Sequence, residues 1–117
     1  MTTATASPNV MSSAVPLGGL SADFDPQWML TPSQKELQAK LIDLCAKVLR
    51  PNAIASDRDL IYPRQNFEAL ASIGLLGLLV PTSWGGLGES HTCAAMVVET
   101  IARYGCPSTA MCYTMHL

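Results

Sequence analysis

The side chains of this chain best suited to acid, base, nucleophilic or metal chemistry are Glu99, His91, His116 and the cysteines Cys45, Cys93, Cys106 and Cys112. Glu99 stands inside an apolar segment and could be imagined as a base. Its neighbours at i+3 and i+4 are Ala102 and Arg103, so an ion pair with Arg103 along one helix face is the simpler account. His116 is isolated, and a lone histidine of this kind packs or donates one hydrogen bond. His91, beside a glycine-rich turn, reads as an exposed first-turn residue. The cysteines show no Cys-x-x-Cys spacing, and the two histidines are not placed with them as a zinc set requires. Reduced, buried thiols of a cytoplasmic protein are the expected reading. Gly-x-Gly-x-x-Gly after a strand, Gly-x-x-x-x-Gly-Lys, His-Glu-x-x-His and Gly-x-Ser-x-Gly are all missing from the sequence. The residues by themselves thus nominate no catalytic group.

The elements that would position any site are easier to read. Thr31-Pro32-Ser33-Gln34 is a helix start, with Thr31 as N-cap, Pro32 at the first helical position and Gln34 completing a capping box. Leu37, Leu41, Leu44, Cys45, Val48 and Leu49 then recur at helical spacing as a core face. Pro51 should kink or end that helix, because proline removes one intrahelical bond and crowds the preceding turn. A second helix begins at Pro63, carries Phe67, Leu70 and Ala71 on one side, and is capped by Gly74. The strip Leu75-Leu76-Gly77-Leu78-Leu79-Val80 leads to Pro81 and then to Gly85, Gly86 and Gly88. It reads as a buried, extended connection that turns between two helices, where Gly85, Gly86 and Gly88 permit left-handed or tightly approaching backbone, with Gly85 and Gly86 expected at positive φ. A third helix runs from about His91 to Tyr104 with Ser90 as N-cap; it is apolar almost all round and should be buried on more than one side. A fourth opens near Pro107 and Ser108 and runs to the end of the sequence. No useful period-two alternation occurs, so the expected fold class is all-α.

Composition sets further bounds. The chain has 117 residues, 49% of them hydrophobic and 14% charged, which is enough for one domain richer in core than in surface. A net charge of −2, with scattered lysines and arginines, argues against a nucleic-acid partner. Residues 1–29 are rich in Thr, Ser, Ala, Pro and Gly and are expected to form a disordered tail, without the basic and apolar segments of a leader. The apolar run 73–80 is eight residues long, against roughly 20 for a spanning helix, so no membrane span is expected. The final residues, Met111 to Leu117, stop within an apolar helical pattern, so the helical domain, 30–117, is expected to be truncated at its C-terminal end.

Asp57-Arg58, Tyr62-Pro63, Gly74-Leu75-Leu76-Gly77, Trp84 through Gly88, and the helix ending in Glu99-Thr100-Ile101-Ala102-Arg103-Tyr104-Gly105 occur in an order and at spacings that resemble the N-terminal helical domain of the acyl-CoA dehydrogenase family. The resemblance covers about residues 30–117 and favours a kink at Pro51 with the first helix continuing to about Asp57. It implies a flavoenzyme parent in which a carboxylate removes the α-proton of an acyl thioester while FAD accepts the β-hydride. The flavin site and the catalytic glutamate of that family lie downstream of the matched region, so the 117 residues alone are expected to bind no FAD and to be inactive. The resemblance further implies an acyl-CoA substrate, an electron-transfer acceptor and a homo-oligomer. It places Ala110, Met111, Thr114 and Met115 against the acyl chain. Two alternatives stay open: a flavin-dependent monooxygenase or nitroalkane-oxidase-like enzyme on the same scaffold, and a non-catalytic helical module that docks through its apolar faces.

Overall fold

A computed structural model describes residues 29–117, and apart from Met29 the expected tail lies outside them. The capping box forms as expected: the Thr31 hydroxyl accepts from the Gln34 amide at 3.3 Å, and the Gln34 side chain accepts from the Thr31 amide at 3.1 Å. From this cap, helix α1 (Pro32–Leu44) runs through a π turn (Cys45–Leu49) into α2 (Arg50–Asp59), all with right-handed helical dihedrals at the junctions. Pro51 removes the bond that a regular turn would need here. Its ring crowds the carbonyl four residues back, at Lys47, and it has no amide to donate. Within this wider turn the Arg50 amide reaches the Cys45 carbonyl, five residues back. The rod therefore continues past the proline, as the resemblance favours, and stops at Leu60, a non-glycine residue at φ +53°.

Helix α3 (Arg64–Ser72) starts one residue after Pro63, whose carbonyl accepts from the Asn66 and Phe67 amides. Gly74 caps it at φ +82°, donating its amide to Ala71. The strip that follows is not extended. It folds as short 3₁₀ turns, Leu75–Gly77 and Thr82–Trp84, because the amides of Gly77, Leu78 and Val80 each bond to the carbonyl three residues back. Leu75 and Leu78 are buried, whereas Val80 and Trp84 are exposed. Gly85 has positive φ, as expected, but Gly86 does not. Gly86 is needed for a different reason: an added Cβ would collide with the Val80 carbonyl, whose carbon lies 2.6 Å away.

Helix α4 (His91–Tyr104) is capped by the Ser90 hydroxyl, which accepts from the Cys93 amide at 3.2 Å. It buries a broad face of Cys93, Ala94, Met96, Val97, Thr100 and Ile101, leaving Ala95, Glu99 and Ala102 in an exposed stripe. Helix α5 (Pro107–His116) follows after Gly105. Among the described residues there is no strand, so the fold is all-α. Helix α4 packs between α1 and α5, while α3 and the 3₁₀ turn Leu75–Gly77 close the other side of the core. That core is built around Leu41, Cys45, Leu49, Leu70, Leu75, Val97, Ile101 and Tyr113.

Candidate functional site

Helix α5 divides into two faces, and its hydrogen bonds determine which is which. Pro107 opens it, with Cys106 in extended conformation at the cap. Thr109, Tyr113 and His116 follow at spacings of four and three, which puts them on one side of a 3.6-residue helix. All three are anchored. The buried Thr109 hydroxyl accepts from Asn66 Nδ2 at 2.8 Å, and Asn66 Oδ1 accepts from Asn52 Nδ2 at 2.8 Å. Tyr113 donates its buried hydroxyl to the Leu75 carbonyl at 2.6 Å. His116 Nε2 lies 2.7 Å from the Leu76 carbonyl, which makes that nitrogen the donor.

Met111, Thr114 and Met115 occupy the opposite side and are exposed, Met115 by 85%. Thr114 gives its hydroxyl proton to the Ala110 carbonyl at 2.9 Å, so this face offers a methyl group and two thioethers with no free donor at Thr114. Ala110 is placed differently from the other three expected site residues: it is 5% exposed and belongs to the core cluster. Beside this face, between α3 and α5, runs an open groove of about 520 Å³, lined among others by Tyr62, Phe67, Ala71, Leu76, Cys112 and Met115. Tyr62 and Phe67 stack at 5.3 Å along its wall.

The remaining candidates are structural. Arg103 donates to Glu99 at 3.3 Å with both side chains about half exposed, the pair expected from their spacing. Desolvation on burial pushes the Cys45 thiol up to about 11, and the same cause, with Glu89 nearby, pushes Cys93 up to about 11. Both are thereby poor nucleophiles at neutral pH. Burial also raises Cys106, but hydrogen bonds from Ser108 and Thr109 outweigh it and leave that thiol below its ordinary value. All four cysteines are unpaired, and Cys112 is half-buried rather than buried. Among the described residues no group of His, Cys, Asp and Glu could hold a metal ion.

The glycine turn does not fit a flavin diphosphate. Such a group would need free backbone amides. Here the amides of Gly85, Gly86, Leu87, Gly88 and Glu89 already donate to Thr82, Pro81, Gly77, Val80 and Leu78. The loop is closed upon itself.

Sequence reasoning missed Asn52, Asn66 and Thr109, which join α2, α3 and α5 through the half-buried Asn52 amide and the buried Asn66 amide and Thr109 hydroxyl. One signal was present: Asn66 sits four residues before Leu70, on the apolar stripe of its helix, where a solvated asparagine does not belong.

A family model for the acyl-CoA dehydrogenase N-terminal domain matches residues 31–117. The chain belongs to the acyl-CoA dehydrogenase family. The region matched as an acyl-CoA dehydrogenase N-terminal domain starts at Thr31, the cap of α1, and so coincides with the helical body. Among relatives in the acyl-CoA dehydrogenase family, cyclohex-1-ene-1-carbonyl-CoA dehydrogenase of Syntrophus aciditrophicus is 38% identical over 70% of this chain and 20% of its own length. A 3-sulfinopropanoyl-CoA desulfinase of Cupriavidus necator is 34% identical over 65% of this chain and 19% of its own. Mitochondrial isobutyryl-CoA dehydrogenase of Bos taurus is 29% identical over 84% of this chain and 23% of its own. The chain spans about a fifth of the length of the curated relatives it matches. No solved structure matches. No helix among the described residues is long and apolar enough to cross a membrane.

Proposed function

We propose that this chain is the N-terminal part of an FAD-dependent oxidoreductase that dehydrogenates an acyl-CoA thioester between its α and β carbons, and that the outer face of α5 walls the acyl tail. The observation that carries the proposal is the Met111, Thr114 and Met115 face, apolar, flexible and with the Thr114 hydroxyl engaged internally. Methionine fills irregular apolar space well, which suits a methylene chain. Ala110 backs this face from the core rather than touching the tail. The names of the three relatives share a CoA thioester, and two of the three are dehydrogenases, which favours this reading over a monooxygenase on the same scaffold. FAD, which supplies the hydride-accepting chemistry, is held by other parts of the whole enzyme, since the glycine turn here does not fit it. The whole enzyme passes electrons to an electron-transfer acceptor, works as a homo-oligomer and resides in the cytoplasm, a location supported by the four unpaired thiols.

The test is Thr114→Phe in the full-length enzyme, read as kcat/KM against acyl chain length. An added ring competes with methylenes worth about 0.8 kcal/mol each, so preference should move toward shorter chains by roughly fourfold per displaced methylene. An unchanged profile would place Thr114 outside the pocket. Absence of acyl-CoA oxidation by the full-length protein would overturn the proposal and leave the monooxygenase or nitroalkane-oxidase-like enzyme and the docking module as the readings.

A further inference from the structure

The geometry points to Thr109 and Asn66 as positioning residues that fix the rotation of α5 and so set acyl-chain preference without touching the substrate. This inference rests on the proposed acyl-pocket role of the outer face of α5. Its basis is the placement of the anchors. Thr109, Tyr113 and His116 project from the side of α5 opposite Met111, Thr114 and Met115. Apolar packing alone is non-directional and tolerates small rotations of a helix. Hydrogen bonds at 2.6 to 2.8 Å do not, because their strength falls steeply with angle.

The three anchors differ in what they fasten. Tyr113 and His116 reach backbone carbonyls of the turn that follows α3, and His116 is exposed. Thr109 is fully buried and is held by a fully buried asparagine, whose other end is fixed by Asn52 from α2. The Asn52, Asn66 and Thr109 relay thus ties α5 to two other helices at the start of the helix, one residue before Ala110 and two before Met111. With Tyr113 and His116 still holding the far end, a bond lost there lets the start of the helix turn, and a small turn carries Met111 sideways relative to Thr114 and Met115. Chain-length preference would shift while chemistry at the thioester is left alone.

The experiment compares Thr109→Val, which is isosteric but cannot accept from Asn66, with Thr109→Ser, which keeps the hydroxyl. Both are made in the full-length enzyme beside Thr114→Phe, and kcat and KM are measured for a short and a long acyl-CoA. The expected result is a change of about fivefold in the long-to-short ratio of kcat/KM for Thr109→Val, the scale of one hydrogen bond, carried by KM rather than kcat and restored in Thr109→Ser. Equal losses for both substrates in Thr109→Val, with only a lower Tm, would overturn the inference and leave Thr109 as a stabilising residue. If Thr114→Phe shifts the profile and Thr109→Val does not, positioning fails while the acyl-face reading stands. If neither shifts it, the acyl-face reading itself falls. Should Thr109→Val not fold, Asn52→Ala at the half-buried end of the relay gives the same comparison, with a smaller change in the same ratio expected and an unchanged ratio overturning the inference.

Discussion

Gly85 and Gly86 are adjacent and chemically identical, yet the backbone needs them for different reasons. Gly85 sits at φ +85° with nothing within 4 Å of where a Cβ would stand, so alanine there meets a conformational cost alone, about 1 kcal/mol. Gly86 has an ordinary φ, but its Cβ would enter the Val80 backbone, which cannot swing aside as a side chain can. Gly86→Ala is expected to destabilise by about 3 kcal/mol, the upper end for overpacking. Denaturant midpoints of the two variants check this, and equal losses would show that the loop relaxes freely around Gly86. Three glycines after a tryptophan announce either positive φ or close approach, and the sequence does not say which glycine serves which. The partner in the close approach at Gly86 is not legible there, because it depends on where Val80 lies after the loop has folded back. Asn66 was partly legible for the opposite reason: its position on the stripe with Leu70 shows it buried, while its partners on α2 and α5 lie 14 and 43 residues away.

At the scale of elements, the helix starts could be read directly, since caps are local. Thr31 with Gln34, and Ser90 with the Cys93 amide, form the bonds their spacing announces. The π turn could not, because Pro51 tells only that a donor is missing, and that loss is met by ending, bending or widening a helix. Packing decides: Gly105, at the end of α4, lies so close to this turn that its Cβ would stand 3.0 Å from Cys45 Sγ. Of the four residues on α5 expected against an acyl chain, Met111, Thr114 and Met115 lie outward and Ala110 inward, a division that the core contacts of α5 decide. Pro51→Ala restores an amide to an exposed site whose worst clash the wide turn has already relieved. It should therefore stabilise by about 1 kcal/mol, well short of the roughly 3 kcal/mol for proline in a regular helix interior. A thermal melt of the full-length protein measures it, and an unchanged Tm would mean that packing against α4 holds the turn open without the proline.

For the molecule as a whole, the exposed apolar residues matter most. Leu60 is 90% exposed, Met115 85% and Trp84 83%, with Ile54, Ile61, Tyr62 and Met111 also outside. The 117-residue chain by itself is expected to be helical by circular dichroism, to bind a hydrophobic dye and to self-associate. A monomer with a sharp cooperative melt and no dye binding would contradict this. The long rod of α1 and α2 also acts as a phase setter for the rest of the fold. An α-helix advances about 100° per residue, so one residue more or fewer between Cys45 and Leu49 would swing Asn52 by more than a quarter turn, out of reach of Asn66. The number of residues in that turn, independent of their identity, thus governs whether α2 can take part in the buried relay at all.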